Sequence, residues 1–436
     1  MERKVPRMPC VDTASMTDTE STSRSVLKHE KTHHEGGKQA WLTVVGSFLV
    51  YYSSFGLLNS FGFFQDYYQN DYLRTISPST IAFIGTLQLA LMNLLSTVSG
   101  GICDAHGIKI LYLFSGLGTS VALSALSFCP QGGLWHIFVT QGLLLGVTAG
   151  SGIQPACTVV AQHFEKRRAM AMSLVSSGGA MGGVCYQLMF TQLQPLVGFP
   201  WTMRIAAIKV LACYSAALLI SKDRPSGAKI SLRSLLDFNG FRDAKYAVLA
   251  LGGCFANFGL WVPGFHIKSY AIKVYPGQSI GKYLISLMSG SSVPGMIFGG
   301  LLGDCFGRLN IILPITFFSG FLCLSIWLRA SSLPVLALFA SLFGFASGAV
   351  LSLLPSVVSQ IVPDDKVGAR IGAFYSVIAI ATLTGAPIDT TIIGKNPTTR
   401  EDYRGLIAFS GSAMLVGSLV LFAARVLHSW DLRERW

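Results

Sequence analysis

Charge is what this 436-residue chain has least of. Asp, Glu, Lys and Arg make up 12% of it, about half the ~25% of a typical soluble domain. With 51% hydrophobic residues and a mean hydropathy of +0.53, that scarcity excludes an ordinary soluble fold and implies a chain that crosses a bilayer many times. The nine cysteines form no CxxC pair and mostly lie in apolar runs. They read as small buried hydrophobes, which excludes a zinc ribbon and a disulfide framework. No glycosylation acceptor is present, because Asn396 is followed by Pro397. Walker, GxSxG and HExxH motifs are absent, so the chain reads as a non-enzyme, and neither a cofactor nor a metal is expected. The first forty residues lack the apolar stretch of a signal peptide and read as a disordered tail. His29, His33 and His34 within it are read as solvated rather than metal-binding.

Long apolar runs are what the chain does have. A bilayer-crossing helix needs about 20 mostly apolar residues, whereas a barrel strand needs about ten in alternation. Twelve such runs are found, at roughly 41–64, 78–102, 109–130, 134–162, 169–192, 201–221, 244–265, 280–303, 309–329, 333–361, 370–393 and 404–427. Glycines at four-residue spacing, as in Gly142/Gly146/Gly150 and Gly178/Gly182, permit close helix packing in a membrane. The expected fold class is an all-α membrane protein of twelve transmembrane helices.

An even number of spans puts both termini on one side. That side receives 23 of the 33 Lys and Arg, eight fall to the other, and Arg204 and Lys209 lie in the sixth span. The bias predicts cytoplasmic termini, and it accounts for the net charge of +12 without a nucleic-acid partner. The expected organisation is a cytoplasmic N-tail (1–40), a six-helix half (41–221), a hydrophilic cytoplasmic linker (222–243), a second six-helix half (244–428) and a short C-tail (429–436).

The two halves repeat at an offset of 200 residues. Gly100, Asp104 and Gly107 in "GGICDAHG" match Gly300, Asp304 and Gly307 in "GGLLGDCFGR". Pro155 matches Pro355, and Ala169 matches Ala369. Duplicated six-helix halves signal two pseudo-symmetric units that rock about a site near the midplane. In the repeated G-x-x-x-D-x-x-G pattern, glycines allow a neighbouring helix to approach, and the Asp can cap a helix N-terminus or sit at its positive dipole end. The bland alternative is a polar loop between two helices.

These motifs carry a family likeness. The pattern resembles the signature loop of the major facilitator superfamily. The stretches "WLTVVGSFLVYYSSFGLLNSFGFFQDYY" (41–68), "HFEKRRAMAMSLVSSGGAMGG" (163–183), "GFPWTMR" (198–204) and "GDCFGRLN" (303–310) resemble the fungal monocarboxylate-transporter-like (monocarboxylate porter) branch. The likeness spans about residues 40–428. It implies a secondary active transporter that moves a small organic molecule, such as an organic acid, vitamin or secondary metabolite, by alternating access with proton coupling. Import and export both remain open. Departures accompany it: Ile108 stands where a basic residue is usual, with Lys109 as its possible stand-in. Asn59, Ser292 and Met296 stand where small-monocarboxylate carriers place charged residues, which implies a larger or neutral substrate.

Polar residues within the spans are costly to bury and so mark candidate contacts. Asn59, Gln187, Asn257, Trp261 and Tyr375 are expected at the substrate. Asn93 and Gln154 are further polar span residues. Asn257 and Trp261 are four apart and share a helix face. The alternatives are helix–helix hydrogen bonding for the amides and an interfacial belt for Trp and Tyr. Gly100, Asp104, Gly107, Arg168, Gly300, Asp304, Gly307 and Arg308 are expected to gate. The "EKRR" run at 165–168 reads as a topology signal drawn to anionic headgroups, or else as a partner of Asp104. Arg204, Lys209 and Asp389 are candidates for charge or proton coupling. Lys209 is read first as snorkelling or packing between helices, and Asp389 could equally sit in a wet vestibule. Expected partners are the substrate, the lipid bilayer and protons. The chain is expected to be a monomer, in the plasma membrane rather than a vacuolar one. The competing reading is a non-transporting membrane nutrient sensor on the same fold.

Overall fold

A computed structural model describes residues 37–428 apart from 75, 131, 224–237, 277–280, 282, 363–366, 395 and 396. Most of the expected N-tail, with its three histidines, most of the linker and the whole expected C-tail lie outside the described residues.

The described residues are helical and contain no strand. Eleven continuous helices among them are long and apolar enough to cross a membrane. One of these, Arg168–Ile220, runs for 53 residues, more than twice what a bilayer requires. Gly198 breaks it with φ 77° and ψ 165°, a conformation that only glycine adopts cheaply. The two arms then fold back. Gly178 meets Phe48 and Gly182 meets Tyr52 on the first helix, while Tyr214 bonds Ser54 at 2.6 Å and Gln39 bonds the Ile220 carbonyl at 3.0 Å. One arm therefore runs parallel to the first helix and the other antiparallel. Phe199 pins the corner by stacking on Tyr67, with ring centroids 4.7 Å apart. The described residues thus make twelve passes.

In chain order they are α1 (Lys38–Asn59, extended by Phe61–Tyr67), α2 (Pro78–His106), α3 (Lys109–Leu126) and α4 (Leu134–Ala161). The arms before and after Gly198 are α5 and α6. Then come α7 (Ala244–Leu260, extended by Val262–Val274), α8 (Leu284–Phe306), α9 (Arg308–Trp327), α10 (Leu333–Ile361), α11 (Val367–Ile393) and α12 (Arg400–His428). Local chemistry sets several starts. Ser77 accepts a 3.3 Å bond from the Thr80 amide ahead of Pro78 at α2, and Asp243 accepts one of 3.0 Å from Lys245 at α7. Helices α1 and α7 run past their expected ends at 64 and 265.

The two halves meet chiefly where α2 packs on α11 and α5 packs on α8. Large apolar side chains left exposed, such as Ile208, Leu219, Phe298 and Leu419, form the lipid-facing belt of a multi-pass bundle. The end of the bundle that holds Lys38 and His428 is called the tail side below, and the opposite end the far side.

Candidate functional site

The repeated motifs form two latches on the tail side. Contrary to a loop reading, Asp104 and Asp304 lie in the last turns of α2 and α8, which end at Gly107 (φ 82°) and Gly307 (φ 96°). Each carboxylate caps a helix of the opposite half. Asp104 accepts bonds from the amides of Gly368 (3.3 Å) and Ala369 (3.0 Å), at the start of α11. Asp304 accepts bonds from the amides of Ala169 (3.0 Å) and Met170 (2.8 Å), at the start of α5. The 200-residue repeat is therefore an interlock: Asp104 reaches Ala369, and Asp304 reaches Ala169. A carboxylate at an N-terminus meets unsatisfied N–H groups and the positive end of the helix dipole.

The latch glycines set the reach of these carboxylates. A Cβ on Gly100 would fall on the Gly368 carbonyl, and one on Gly368 would fall on that of Gly100. A Cβ on Gly300 would lie 2.5 Å from Ser173 Oγ. Backbones this close leave no room for side chains.

The latches differ where their sequences differ. Beside Asp304, Arg308 lies 3.6 Å away and donates to the carbonyls of Ser356 and Glu165, both at 3.2 Å. Arg168 donates to Phe164 at 2.8 Å and to Ser359 at 2.9 Å. The 165–168 turn therefore adjoins the Asp304 latch, through the Glu165 carbonyl and the amides that follow it. Ile108, the counterpart of Arg308, is buried and uses its amide to hold Asp223 at 2.9 Å, while Lys109 is exposed.

Between the halves lies a cavity of about 1180 Å³. Asn59, Ala180, Met296 and Leu351 line it, as do Ser77 and Ser79 at the start of α2 and Gly394 and Pro397 between α11 and α12, all on the far side. The cavity thus reaches toward the far side while the latches close the tail side. Of the expected substrate residues, Asn59 and Trp261 line it. Asn257 stands behind: its Oδ1 accepts a 3.3 Å bond from the Trp261 indole, and its amide donates to the Gly253 carbonyl at 2.9 Å. The four-residue pair therefore positions one aromatic wall. Trp261 also meets Phe55 of the other half, with centroids 6.4 Å apart. Gln187 and Tyr375 do not line the cavity. Gln187 is buried, and Tyr375 packs edge-on to Phe374.

The candidate charges separate in the same way. Arg204 stacks over Phe128 (4.8 Å) and Trp201 (5.0 Å) and bonds Ser127, inside its own half. Lys209 sits over the Tyr186 ring at 4.0 Å and that of Tyr52 at 4.7 Å, away from the cavity wall. Such contacts offset part of the cost of holding an ammonium in a bilayer. Asp389 is only 3% exposed, so it occupies no wet vestibule. Its Oδ2 lies 3.5 Å from His266 Nε2, and Oδ1 is buried with no hydrogen-bond partner among the described residues.

Four cavity-lining ionisable residues escape a hydropathy reading: Asp66 on the α1 extension, and His266, Lys268 and Lys273 on the α7 extension. Lys268 pairs with Asp66 across the two halves. Meanwhile Asn59, Ser292 and Met296, positions where the family likeness implies charge, line the cavity as neutral side chains.

Two pseudo-symmetric six-helix halves, interlocked at one end around a shared cavity, define a multi-pass membrane transporter. The chain belongs to the Major Facilitator Superfamily, whose model matches residues 43–290 and 249–435. It is 34% identical over 415 residues to the agnestins efflux protein AgnL12 of Paecilomyces divaricatus, covering 95% of this chain and 93% of that one. It is 32% identical over 396 residues to the MFS transporter asaE of Aspergillus flavus, covering 90% and 88%. The aspyridones efflux protein apdF of Emericella nidulans is 28% identical over 398 residues, covering 90% and 79%. None of these three is named as a monocarboxylate carrier or a sensor. Among solved structures, the human organic anion transporter MFSD10 (TETRAN) matches with a TM-score of 0.69 at 16% identity, over 88% of this chain and 100% of that one. That match shows the shared fold.

Proposed function

We propose that this protein exports a small organic molecule of the secondary-metabolite kind by alternating access. The observation that carries the reading is the pair of interlocked caps that seal one end of a large cavity reaching toward the other. Breaking the two latches and closing the far side would expose the same cavity to the tail side. Efflux rather than uptake follows from the likeness to the agnestins and aspyridones efflux proteins. The tail side is cytoplasmic on the Lys and Arg bias, the working unit is a monomer, and the membrane is the plasma membrane.

Proton coupling is part of the proposal. Its candidate carrier is Asp389, buried against His266 of α7. An ionisable group buried within a span is a candidate functional site by default, and proton relays are built from such residues. The other titratable groups on the cavity wall are Asp66, Lys268, Lys273 and Tyr403.

The test is untargeted metabolite profiling of producing cells and their medium, with and without the protein. Export predicts compounds that accumulate in the medium only when the protein is present. Identical partition in both strains would refute it.

A further inference from the structure

We propose that Lys268 is an anion subsite of the cavity, built for the carboxylate of an organic acid on an aromatic frame, and that Asp66 fills it when no such anion is bound. The inference rests on the transporter reading and adds the substrate class.

Four observations carry it. First, the Lys268 side chain is 17% exposed and lines the cavity among apolar and aromatic walls, including Trp261, Phe265 and Phe343. An ammonium removed from water to that degree calls for a negative partner. Second, its partner Asp66 comes from the other half and is 43% exposed. Asp66 can return to water at far lower cost than Lys268 can, so the acid is the exchangeable member. Third, the wall has an excess of base. Its titratable residues are Asp66, His266, Lys268, Lys273 and Tyr403. With His266 held by Asp389, moving Asp66 aside leaves cationic and neutral groups, and no further carboxylate, among the described residues of the wall. Fourth, about 1180 Å³ of cavity exceeds the ~300–1,000 Å³ that encloses a drug-sized ligand. An aromatic body fits beside the fixed Trp261 plate while its carboxylate reaches Lys268, seven residues and two helical turns away.

The exchange has a mechanical consequence. Asp66 and Lys268 tie α1 to α7, one from each half. A substrate carboxylate that takes Lys268 releases this tie, so occupancy of the site and freedom of the far side to move become one event. The substrate thereby binds the two conformations unequally, which any ligand that drives a conformational change must do.

The test uses the full-length protein in lipid nanodiscs, with pyrenebutyrate as the anionic probe and its methyl ester as the neutral control. Affinity is read from fluorescence energy transfer out of tryptophan. Asp66→Asn removes the competing carboxylate and should tighten pyrenebutyrate binding about tenfold, or 1.4 kcal/mol, with the ester unchanged. Lys268→Gln should erase the preference for acid over ester, and Lys268→Arg should restore it. An unchanged acid-to-ester ratio in Lys268→Gln overturns the proposal. So does an Asp66→Asn protein that fails to bind the acid, or binds it no better than the parent. If Lys268→Gln does not fold, Asp66→Asn and Lys268→Arg still decide. Equilibrium binding needs no turnover, so this result is separable from export. Binding as predicted without export would sink only the carrier reading, and export with an unchanged acid preference would sink only the subsite.

Discussion

Replacing Asp104 with Asn should unseal the tail side. In the structure this carboxylate is 6% exposed and accepts two amide bonds from the start of α11, at 3.3 and 3.0 Å. Asn keeps the shape and one acceptor oxygen. It loses the second acceptor, places an NH2 group against an N–H, and removes the charge from a helix N-terminus. A hydrogen bond to a charged group is worth about 1.5–3 kcal/mol, and the dipole interaction about 0.3–1 kcal/mol. Allowing for water that reaches the opened latch, a net loss of about 1.5–2 kcal/mol follows, which shifts the closed-to-open ratio about tenfold to thirtyfold. The assay is a distance measurement by pulsed electron resonance. Labels are placed at His106 and Arg242, exposed tail-side positions on opposite halves, in a background freed of native cysteines. The longer-distance population should grow in Asp104→Asn and in Asp304→Asn. The second variant should also express less well, because Arg308 loses its buried counter-ion. Distance distributions identical to the parent, in protein that still folds, would refute the latch argument.

Three further outcomes follow from the same geometry. Gly100→Leu forces a side chain into the Gly368 carbonyl and should abolish export with normal membrane insertion, whereas Gly290→Ala, with open space around it, should be silent in the same efflux assay. Trp261→Ala should weaken apparent substrate affinity about tenfold, in line with ~1–1.5 kcal/mol for an aromatic contact; Trp261→Phe should recover most of it, and a change confined to expression level would assign Trp261 to packing. Asp389→Asn should remove the dependence of export on a pH gradient while leaving equilibrium substrate binding in place, and a parent-like pH profile in that variant would exclude Asp389 as the proton carrier.

The architecture was largely legible because a bilayer imposes helices of fixed minimum length. Twelve apolar runs became twelve passes, although two of them share one 53-residue segment that only Gly198 divides. The latches were legible as a repeat, since Gly100, Asp104 and Gly107 recur together. Their partners were not, because a sequence repeat does not say that each half caps the other. The cavity was legible where a polar residue interrupts an apolar face, as at Asn59 and at the Asn257/Trp261 pair. It was missed at Asp66, His266 and Lys268 for a physical reason. A hydropathy window closes on the first charges, but the backbone helix continues through them, past Ser60 on α1 and past Pro263 on α7. The seven-residue spacing of Trp261 and Lys268 was the available signal, since it places both on one face of that continued helix. Gln187 and Tyr375 misled because burial alone does not tell a cavity wall from a helix contact.

The most direct test of the whole account is release of an exported compound, identified by the profiling above, from liposomes that contain only the purified protein. The account predicts faster release than from protein-free vesicles, and loss of that acceleration in Gly100→Leu. Tight binding of the compound with no release above the protein-free rate would contradict it.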